Sequence, residues 1–586
     1  MREDAARGGS PSAPTDAGRH GDGAADPARL IARLRAIVGD RNVLTRAAQT
    51  APYATGYRSG AGSVVAVARP GSLVEQWRVF EACIQAGHIV IAQAANTGLT
   101  GGSTPNGDYD RPVVVINTLR IRGILPILSG TQAICLAGST LYDLERVLAP
   151  LGREPHSVIG SSCIGASVVG GVCNNSGGAL VARGPAYTEY ALYGRVDETG
   201  RVVLCNHLGV RLGNEPEAML HALDAGRCAD ADIVNDGRAA SSASHYQEVV
   251  RAVDEPSPAR FNADPSRLYE AAGSAGKVMV FAVRLETFAS AAATAVFYVG
   301  SNDTAELGVI RRRVLSDLPV LPVSGEYIHR EAFDVAARYG KDTVLAIRAL
   351  GTSRLPRLFR AKSVVDRLAK AARILPAHLS DMLLQAASRL MPNHLPPRMR
   401  DYRDRFEHHL VIKAADASIE SVRDLLARLF PSASGDFFEC TPREGEDAML
   451  HRFAVAGAAV RYRAVHEDGI EDIVALDIAL RRDETDWFER LPADLEAEVV
   501  KKLYYGHFFC HVFHQDYLIR KGADPVAIEH RMLALLDARG AEYPAEHNVG
   551  HLYRAKPALA GHYRELDPCN QMNPGVGETS RVRNWA

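Results

Sequence analysis

Three histidines lie within eight residues in the stretch GHFFCHVFHQDY, residues 506–517. Neutral imidazoles bind divalent metals and also accept protons near neutral pH, so His507, His511 and His514 are candidates for either chemistry. Their spacing does not fix the backbone. A helix would place all three on one face, whereas the aromatic and β-branched residues between them favour a strand.

A strand would set a condition on how these histidines meet. Side chains alternate along a strand, so an odd spacing puts His507 and His514 on opposite faces. The two can then meet only if His507 lies in a loop after Gly506, outside the strand register, and His511 would face away and pack. Two alternatives stay open: direct contact of His507 and His514 with a substrate or cofactor, and ordinary packing.

The elements that would position such a site begin with a β-α-β pattern over residues 63–93. SVVAVARP is a short apolar strand, and Ser72 and Glu75 have the spacing of a capping box at the start of the helix LVEQWRVFEACIQAG. Gly87 ends that helix, and HIVIAQAA is a second buried strand. The segments VVVINTLR and QAICLAGS predict two more strands, and TLYDLERVLAPLG predicts another helix.

Two long loops rich in glycine and serine belong to this region: AANTGLTGGSTPNG at residues 94–107 and VIGSSCIGASVVGGVCNNSGG at residues 158–178. Neither contains the phosphate-loop pattern GxxxxGK(S/T) or a GxGxxG turn between strand and helix, so a Rossmann domain is not supported. Glycines let backbone N–H groups approach a pyrophosphate closely. The pair of loops therefore predicts a dinucleotide cofactor, with ordinary surface loops as the alternative.

The composition is that of a globular protein, and 586 residues are enough for two or three domains. A net charge of −2 disfavours a nucleic-acid-binding protein. Nine cysteines without a CxxC pair indicate reduced thiols in the cytoplasm. Residues 1–26 lack the apolar core of a signal peptide and predict a disordered tail. No apolar run approaches the ~18 residues of a membrane span.

Residues 354–405 form a basic stretch, with twelve lysines and arginines against four acids and a local charge of +8. Apolar residues recur between the charges at helical spacing, as in helices that lie on anionic membrane surfaces. Each basic residue contributes roughly 1 kcal/mol to such binding. A solvated helix or an RNA-binding patch is the alternative, although only Phe359 and Tyr402 could stack on bases. The stretch therefore predicts peripheral membrane contact.

Further along, KVMVFAVRLETF predicts a buried strand that ends the first domain, and ATAVFYVG predicts the first strand of another. The two glycine loops, REPHSVIGSS, GPAYTE, EYIHRE, YYGHFFCHVFHQDY, AEHNVGHLY and DPCNQMNPG together resemble the quinone-dependent D-lactate dehydrogenases of bacteria. The resemblance runs from about residue 30 to the C-terminus. Those enzymes are peripheral membrane flavoproteins, and their FAD domain belongs to the superfamily of vanillyl-alcohol oxidase and p-cresol methylhydroxylase.

The resemblance implies an α+β fold: a two-subdomain FAD-binding domain of the p-cresol methylhydroxylase type, an α+β cap domain and a helical, basic membrane-binding segment. We expect the disordered tail at residues 1–26 and the main FAD-binding part at 27–286. The cap domain is expected at 287–328 and 406–537, interrupted by the membrane-binding segment at 329–405. A second membrane-facing piece is expected at 444–467, and residues 538–586 are expected to return to the FAD-binding domain.

The resemblance also implies which residues contact the cofactor when they are matched position by position. The expected contacts in the two loops and in the strand VMVFAV are Ala94, Ala95, Asn96, Thr97, Gly98, Gly102, Ser103, Gly160, Ser167, Gly177 and Val280. His156 and Cys163 lie near the second loop, but the family resembles the members that hold FAD without a covalent bond. Non-covalent FAD is therefore expected.

Oxidation of a 2-hydroxy acid needs a base and a positive charge for the carboxylate. His547, in AEHNVGH, is expected to take the hydroxyl proton, with a structural hydrogen-bonding role as the alternative. Arg452 is expected to hold the carboxylate, with Arg330 as the second candidate. The related D-2-hydroxyglutarate dehydrogenases also use a lysine before a YDLSL-type strand, whereas this chain has Ala475 and Leu476 there, so the carboxylate contact stays open.

The same relatives bind zinc through a glutamate beside the basic histidine and through two histidines seven residues apart. At the matching positions this chain has Glu546, His507 and His514. Three protein ligands would leave positions for substrate oxygens. A divalent metal such as zinc would there polarise the substrate hydroxyl and lower its pKa.

The resemblance thus predicts a peripheral enzyme at the cytoplasmic face of the inner membrane. It would oxidise D-lactate to pyruvate by hydride transfer from C2 to FAD N5 and then reduce a quinone. Its partners would be D-lactate, a quinone and an anionic membrane surface bound through residues 354–405, without nucleic acid. The alternatives are a dehydrogenase of another D-2-hydroxy acid and a flavin-binding, membrane-associated scaffold without activity.

Overall fold

The computed structural model describes residues 26–56, 58–156, 165–350 and 379–586. Residues 1–25 of the predicted tail, Gly160 and Cys163, and residues 354–378 of the basic stretch lie outside the described part. The described α-helices are Pro27–Val38, Ala47–Ala54, Leu73–Gln85, Leu141–Leu148, Val168–Cys173, Pro216–Asp224, Ala243–Arg251, Thr304–Asp317, Arg330–Tyr339, Lys341–Leu350, Leu379–Ser388, Pro397–Arg405, Ser418–Leu429, Pro442–Phe453, Val455–Val465, Ala493–Glu498, Pro525–Ala538 and Pro557–Leu566.

A four-stranded sheet contains the predicted β-α-β unit. Its strands are β1 (Val43–Leu44), β2 (Ala66–Ala68), β3 (Ile89–Gln93) and β4 (Val113–Asn117), in the order β1-β2-β4-β3. The helix Leu73–Gln85 connects β2 to β3, and both strands run parallel to β4 between them. The Ser72 hydroxyl accepts the Glu75 N–H at 3.1 Å, as predicted, whereas the Glu75 carboxylate accepts the N–H of Gly71 at 2.6 Å.

A five-stranded antiparallel sheet follows. Its strands are β5 (Ile124–Ile127), β6 (Gln132–Leu136), β8 (Ala191–Val196), β9 (Val202–Asn206) and β10 (Met279–Glu286), in the order β5-β6-β10-β8-β9, and a small ribbon joins β7 (Arg153–Glu154) to β11 (Phe288–Ala289). The predicted closing strand is β10, which lies at the centre of this sheet. Its buried position explains its continuous run of apolar residues.

The C-terminal residues return to the first sheet. Met572 pairs with Val90 along β3. The Val90 N–H donates to the carbonyl of Gln571 at 3.0 Å, and the Asn573 N–H donates to the carbonyl of Val90 at 2.9 Å. The predicted domain boundaries stay a prediction, but these are contacts that a C-terminal return would make.

A seven-stranded antiparallel sheet forms the second half of the molecule. Its strands are β12 (Thr294–Ser301), β13 (Ser324–His329), β14 (His408–Ala415), β15 (Gly435–Glu439), β16 (Ile470–Ala479), β17 (Val499–His507) and β18 (Val512–Arg520), in the order β15-β12-β14-β13-β17-β18-β16. Phe297 and Val299 pack in one core and Tyr298 in another, so both faces of the sheet are covered. Each fully buried apolar side chain of this size contributes roughly 1.5–3 kcal/mol, which makes the sheet a stable platform for polar side chains.

The described part of the basic stretch is helical. It contains the helices Leu379–Ser388 and Pro397–Arg405. Among the residues that the structure describes, no helix combines the length and the apolar character needed to cross a bilayer. Together the sheets and helices confirm the predicted α+β class.

Candidate active site

A cavity of about 710 Å³ lies between the two glycine loops and the seven-stranded sheet. This volume is typical of a site for a cofactor or a drug-sized ligand. Ten of the eleven predicted FAD contacts line it, and Gly160 lies outside the described residues. The ten are Ala94, Ala95, Asn96, Thr97, Gly98, Gly102, Ser103, Ser167, Gly177 and Val280.

The first glycine loop is held open by its own hydrogen bonds. Asn96 has a φ of 53°, a conformation that asparagine tolerates better than most residues. Its side-chain N–H donates to the carbonyl of Thr55 at 2.9 Å, and its side-chain oxygen accepts the Ser103 hydroxyl at 3.1 Å. A Cβ at Gly98 would meet no atom within 4 Å. The loop therefore presents an open backbone surface to the cavity.

The second glycine loop leads into the helix Val168–Cys173. The Ser167 hydroxyl accepts the N–H of Gly170 at 3.0 Å and caps this helix. Further on, a Cβ at Gly177 would lie 2.5 Å from the carboxylate of Glu546. Glycine at position 177 thus allows the loop to pass directly beside the candidate metal ligands.

His507 and His514 lie on the two strands of a hairpin, and the expectation that His507 lies outside the strand register is wrong. His507 is the last residue of β17 and pairs with Val512, the first residue of β18. Residues that pair across two antiparallel strands point to the same face, and His514 lies two residues after Val512. The 3₁₀ turn Phe508–Cys510 and His511, with a φ of 53°, make the connection. The turn reverses the chain, so the odd spacing brings the two histidines together.

Glu546 completes a cluster with these two histidines. One ligand atom from each of the three residues lies within 4.8 Å of the others. The Nε2 atoms of His507 and His514 lie 3.2 Å and 3.8 Å from Glu546 Oε2. This arrangement could hold a cation among two imidazoles and one carboxylate.

Two further carboxylates orient the imidazole rings. His507 Nδ1 is hydrogen-bonded to Glu326 at 2.7 Å, and His514 Nδ1 lies 3.3 Å from Asp477. Both rings therefore present Nδ1 to a buried carboxylate and Nε2 to Glu546. Histidines that ligate metals commonly have such a carboxylate behind the ring.

The charges in this cluster stabilise one another. Burial by itself would raise the pKa of Glu546, but His507 and Arg260 hold it well below its usual value. Burial by itself would lower the pKa of His507, but the carboxylates of Glu326 and Glu546 raise it to about 10. The Glu546 backbone N–H donates to Asp477 at 2.8 Å, and Arg260 pairs with the Glu546 side chain. The cluster thus keeps a buried carboxylate ionised, and a metal bound here would displace the proton that His507 holds in its absence.

His547 and Arg452 line the same cavity. His547 Nε2 lies 3.8 Å from Asp477 Oδ2, and its side chain is about one third exposed. Arg452 Nη2 lies 2.9 Å from Glu326, and its guanidinium stacks on Tyr505 with Cζ 4.6 Å from the ring centre. Arg452 Nε is buried without a hydrogen-bond partner among the described residues, so this donor remains for a bound anion.

Two residues from the sequence motifs lie elsewhere. Arg330 begins the helix Arg330–Tyr339 and pairs with Glu407 at 2.6 Å, outside the set that lines the cavity. His511 is buried, and its Nδ1 is bonded to the carbonyl of Arg481 at 2.9 Å. Arg330 is therefore not positioned to bind a substrate in this cavity, and His511 packs beneath the hairpin.

Sequence reasoning missed three charged residues that organise the site. Asp477 interrupts the mostly apolar part of β16, and a buried charge in such a strand indicates a nearby partner. That signal was present in IVALDIALR, whereas the strand SGEYIH around Glu326 is too polar to give it. Arg260 gave no local signal, because its partner Glu546 is 286 residues away in the chain.

Comparisons with known proteins show which family the chain resembles over most of its length. Residues 296–585 match the family described as D-lactate dehydrogenase, membrane binding. The chain is 57% identical over 561 residues to the quinone-dependent D-lactate dehydrogenase of Haemophilus influenzae, covering 95% of this chain and 99% of that protein. It is 53% identical to the protein of the same name from Escherichia coli, covering 96% of this chain and 98% of the relative.

Solved structures give the fold at lower identity. p-Cresol methylhydroxylase with substrate bound aligns with a TM-score of 0.55 at 12% identity, covering 94% of this chain and 97% of that one. Alkyldihydroxyacetonephosphate synthase aligns with a TM-score of 0.53 at 12% identity, covering 95% and 86%. The predicted fold of the p-cresol methylhydroxylase type is confirmed.

Proposed function

The chain belongs to the family of quinone-dependent D-lactate dehydrogenases, and we propose that it oxidises D-lactate to pyruvate and passes the electrons to a quinone. The family that the sequence motifs resemble is thereby confirmed. In the proposed reaction, lactate loses the hydrogen at C2 as a hydride and the hydroxyl hydrogen as a proton. The quinone gains two electrons and two protons, so the reaction balances. The observation that carries the proposal is one cavity that joins a glycine cradle to a cluster of imidazoles, carboxylates and an arginine.

We propose non-covalent FAD as the cofactor. What supports it is the fit of the cradle, with open backbone at Gly98 and a close passage at Gly177, since glycines admit a pyrophosphate to backbone N–H groups. When bound, FAD would supply the hydride acceptor. The residues of the two loops and Val280 would hold it, as the sequence predicts.

We propose that His507, His514 and Glu546 hold a divalent metal such as zinc. Two observations support this proposal: two imidazoles and one carboxylate lie close enough to share a cation, and a further carboxylate contacts the Nδ1 atom of each ring. A metal there would polarise the substrate hydroxyl. Arg260 would hold the outer oxygen of Glu546 and thereby orient the other oxygen towards the two histidines.

His547 and Arg452 would act directly on the substrate. His547 would accept the hydroxyl proton, and Asp477, 3.8 Å away, would stabilise the imidazolium that forms. Arg452 would bind the lactate carboxylate through its unpartnered Nε. Glu326 contacts both Arg452 and His507. It would therefore fix the position of Arg452, which binds the lactate carboxylate, relative to His507, which binds the metal.

We propose peripheral association with the cytoplasmic face of the membrane through residues 354–405. The match to a membrane-binding family supports it. The local charge of +8 supports attraction to an anionic surface.

Anaerobic reduction of the bound flavin tests the proposed function. D-lactate is expected to bleach the flavin absorbance of the purified protein, and L-lactate is expected to leave it oxidised. Bleaching by a different D-2-hydroxy acid, but not by D-lactate, would replace the substrate. A flavin that no hydroxy acid bleaches would support the scaffold alternative instead.

A further inference from the structure

The cavity continues from the histidine cluster along the outer side of two helices. These are Pro442–Phe453 and Val455–Val465, which follow each other directly in the chain. The side chains that line this extension beyond Arg452 are largely apolar, and we name it the apolar arm. It is lined by Met449, Phe453, Ala456, Gly457, Val460 and Arg461.

The apolar arm is built on an apolar stripe that faces outwards. Positions 453, 456, 457 and 460 have the spacing of one helical face and are all exposed. Phe453 is 37% exposed and Val460 is 53% exposed. The opposite face already packs in the core of the sheet, through residues that include Val455 and Ala458. The outer stripe is therefore not needed for packing against the sheet.

A neighbouring helix carries further exposed apolar side chains. Leu383 in the helix Leu379–Ser388 is 58% exposed, and Leu390 just after it is 91% exposed. Exposed apolar patches of this kind on a soluble domain indicate contact with a membrane or an apolar ligand. The helix that meets Arg461 through Asp381 therefore also carries exposed apolar side chains suited to a lipid phase.

A polar end inside the apolar arm complements this surface. The Arg461 guanidinium lines the cavity, pairs with Asp342 and lies 3.3 Å from Asp381. Thr343 also lines this end. Asp381, the partner of Arg461, lines this end as well. An arginine and a hydroxyl are hydrogen-bond donors, and beside the apolar stripe they suit a flat ring with carbonyl oxygens.

We propose that the apolar arm binds the ring of the lipid-soluble quinone, which enters from the membrane between the helices Val455–Val465 and Leu379–Ser388. This inference rests on the proposed function, because it assigns the site of the second substrate. D-lactate is small and charged and does not require an apolar passage. The ring is held between the apolar stripe and the donors of Arg461 and Thr343.

Gly457 offers a substitution that fills the arm without disturbing the fold. A Cβ at Gly457 would meet no atom within 4 Å. Leucine also favours a helix interior more than glycine does. Gly457→Leu therefore narrows the arm, and Gly457→Ala narrows it less. Gly561→Leu is the matched control, because Gly561 is also in a helix, has equally open space at Cβ and lies outside the cavity lining.

The two half-reactions are measured separately on the flavin-loaded enzyme. For Gly457→Leu, reoxidation of the reduced flavin by a short-chain benzoquinone is expected to slow about tenfold or more. Anaerobic reduction by D-lactate should stay within about twofold of the wild type, since lactate is small. Gly561→Leu should behave as the wild type, and Gly457→Ala, which adds less volume to the arm, should slow reoxidation less than Gly457→Leu does. Unchanged reoxidation in Gly457→Leu, or equal slowing of both half-reactions, would overturn the assignment.

Labelling with an azido-benzoquinone gives a readout that does not depend on turnover. Trypsin releases residues 453–461 as one peptide between Arg452 and Arg461. This peptide is expected to carry the label, and excess unlabelled quinone should protect it. Label found only on other peptides would overturn the site. If D-lactate fails to bleach the wild-type flavin, the proposed function fails, and the labelling result still decides whether this arm binds a quinone.

Discussion

The buried carboxylate of Asp477 contacts both the candidate metal ligands and the proposed base His547. It lies 3.3 Å from His514 Nδ1, accepts the Glu546 N–H at 2.8 Å and lies 3.8 Å from His547 Nε2. Burial tends to raise the pKa of Asp477, but His547 and His514 lower it below its usual value. The carboxylate therefore stays charged beside the proposed base, where it stabilises a proton arriving on His547.

The role of His547 as a base is tested by His547→Gln. Glutamine keeps a polar side chain of similar size but cannot take up the hydroxyl proton. The rate of flavin reduction by D-lactate is expected to fall by about 10²–10⁴. Stopped-flow absorbance measures this rate across a pH series, and His530→Gln, at an exposed histidine, is the control. A variant that reduces its flavin at the wild-type rate would contradict the assignment.

The metal hypothesis is tested by elemental analysis of His507→Ala. The wild-type protein is expected to carry about one divalent metal per chain. The variant should lose most of it, because one of three protein ligands is gone, while its flavin content stays unchanged. His530→Ala should retain the metal. Negligible metal in both the wild type and His507→Ala would end the hypothesis.

The residues of the candidate metal site were easier to predict than their places on the strands. The family resemblance implied His507, His514 and Glu546 as a set, but the alternation of side chains along a strand required His507 to leave the strand. The hairpin turn at 508–511 removes that requirement, because two strands rather than one carry the histidines. The turn depends on the left-handed backbone conformation of His511. Histidine is not a residue that usually indicates a turn, so the hairpin could not be predicted from this stretch.

At the scale of elements, an ion-pair triad ties three helices together beside the apolar arm. Arg461 on the helix Val455–Val465 pairs with Asp342 and Asp381 on two other helices, and all three side chains are at most 10% exposed. It also donates to the carbonyl of Tyr339 at 3.2 Å. The triad therefore fixes how these helices pack around the mouth of the arm.

Arg461→Met tests this cross-link. The variant removes the guanidinium that pairs with the buried carboxylate of Asp342, so the free energy of unfolding is expected to fall by about 3–5 kcal/mol. The control Arg463→Met removes an exposed pair with Asp472 from the same helix and should cost about 1 kcal/mol or less. Denaturant unfolding followed by far-UV circular dichroism measures both. Equal losses in the two variants would argue against the cross-link.

Buried histidines on and beside the seven-stranded sheet predict a pH dependence. Burial lowers the pKa of His408 and of His409 to about 3, and that of His329 to about 4. The unfolded chain binds protons at these positions below a pKa of ~6.5, whereas the folded chain does not. The free energy of unfolding should therefore fall as the pH drops from ~6.5 towards 4, and these groups should have no effect above ~7.

His409→Leu isolates one of these groups. Both ring nitrogens of His409 lack a hydrogen-bond partner among the described residues, so an apolar side chain should be tolerated. The slope of stability against pH between about 5 and 6 should decrease by up to ~1.4 kcal/mol per pH unit. Unfolding at several pH values measures it, with His530→Leu as the exposed control. An unchanged slope would show that His409 is not the buried neutral group described above.

Element types followed well from local patterns. The helix at 73–85 begins at its predicted cap, and β10 and β12 lie where apolar runs predict strands. The sheet order could not be predicted, since it depends on contacts between distant segments. β13, for example, pairs with β17, about 180 residues later in the chain, and no periodicity encodes that neighbour.

At the scale of the whole molecule, the cavity exists only because distant parts of the chain meet. Residues near 94–103, 166–179, 275–280, 449–461, 505–514 and 546–548 all line it. Each segment alone predicts a loop, a strand or a helix. Only the resemblance to a family predicted that these segments come together in one site. It did not predict every position correctly, since Arg330, a residue of the motif EYIHRE, lies outside the cavity lining.

The proposed membrane attachment belongs to the scale of the whole molecule, because it would depend on the net charge of one surface. We predict that replacing Arg357, Arg360, Lys362, Arg367 and Lys370 together by glutamate releases the protein from anionic vesicles. The exchange removes five positive charges and adds five negative ones within a stretch whose charge is +8, so attraction should turn into repulsion. Co-sedimentation with vesicles at several salt concentrations measures binding, and D-lactate oxidation with a soluble dye should be retained.

The control for this prediction carries the same change in total charge at exposed arginines outside the basic stretch. These are Arg41, Arg195, Arg227, Arg428 and Arg490. Their replacement by glutamate should leave most of the vesicle binding, since electrostatic attraction decays within a Debye length of about 8 Å at physiological salt. If both five-residue variants lose binding equally, net charge alone governs attachment. If neither loses it, the charge of the basic stretch does not govern attachment, and exposed apolar side chains such as Leu383 and Leu390 become the next residues to replace.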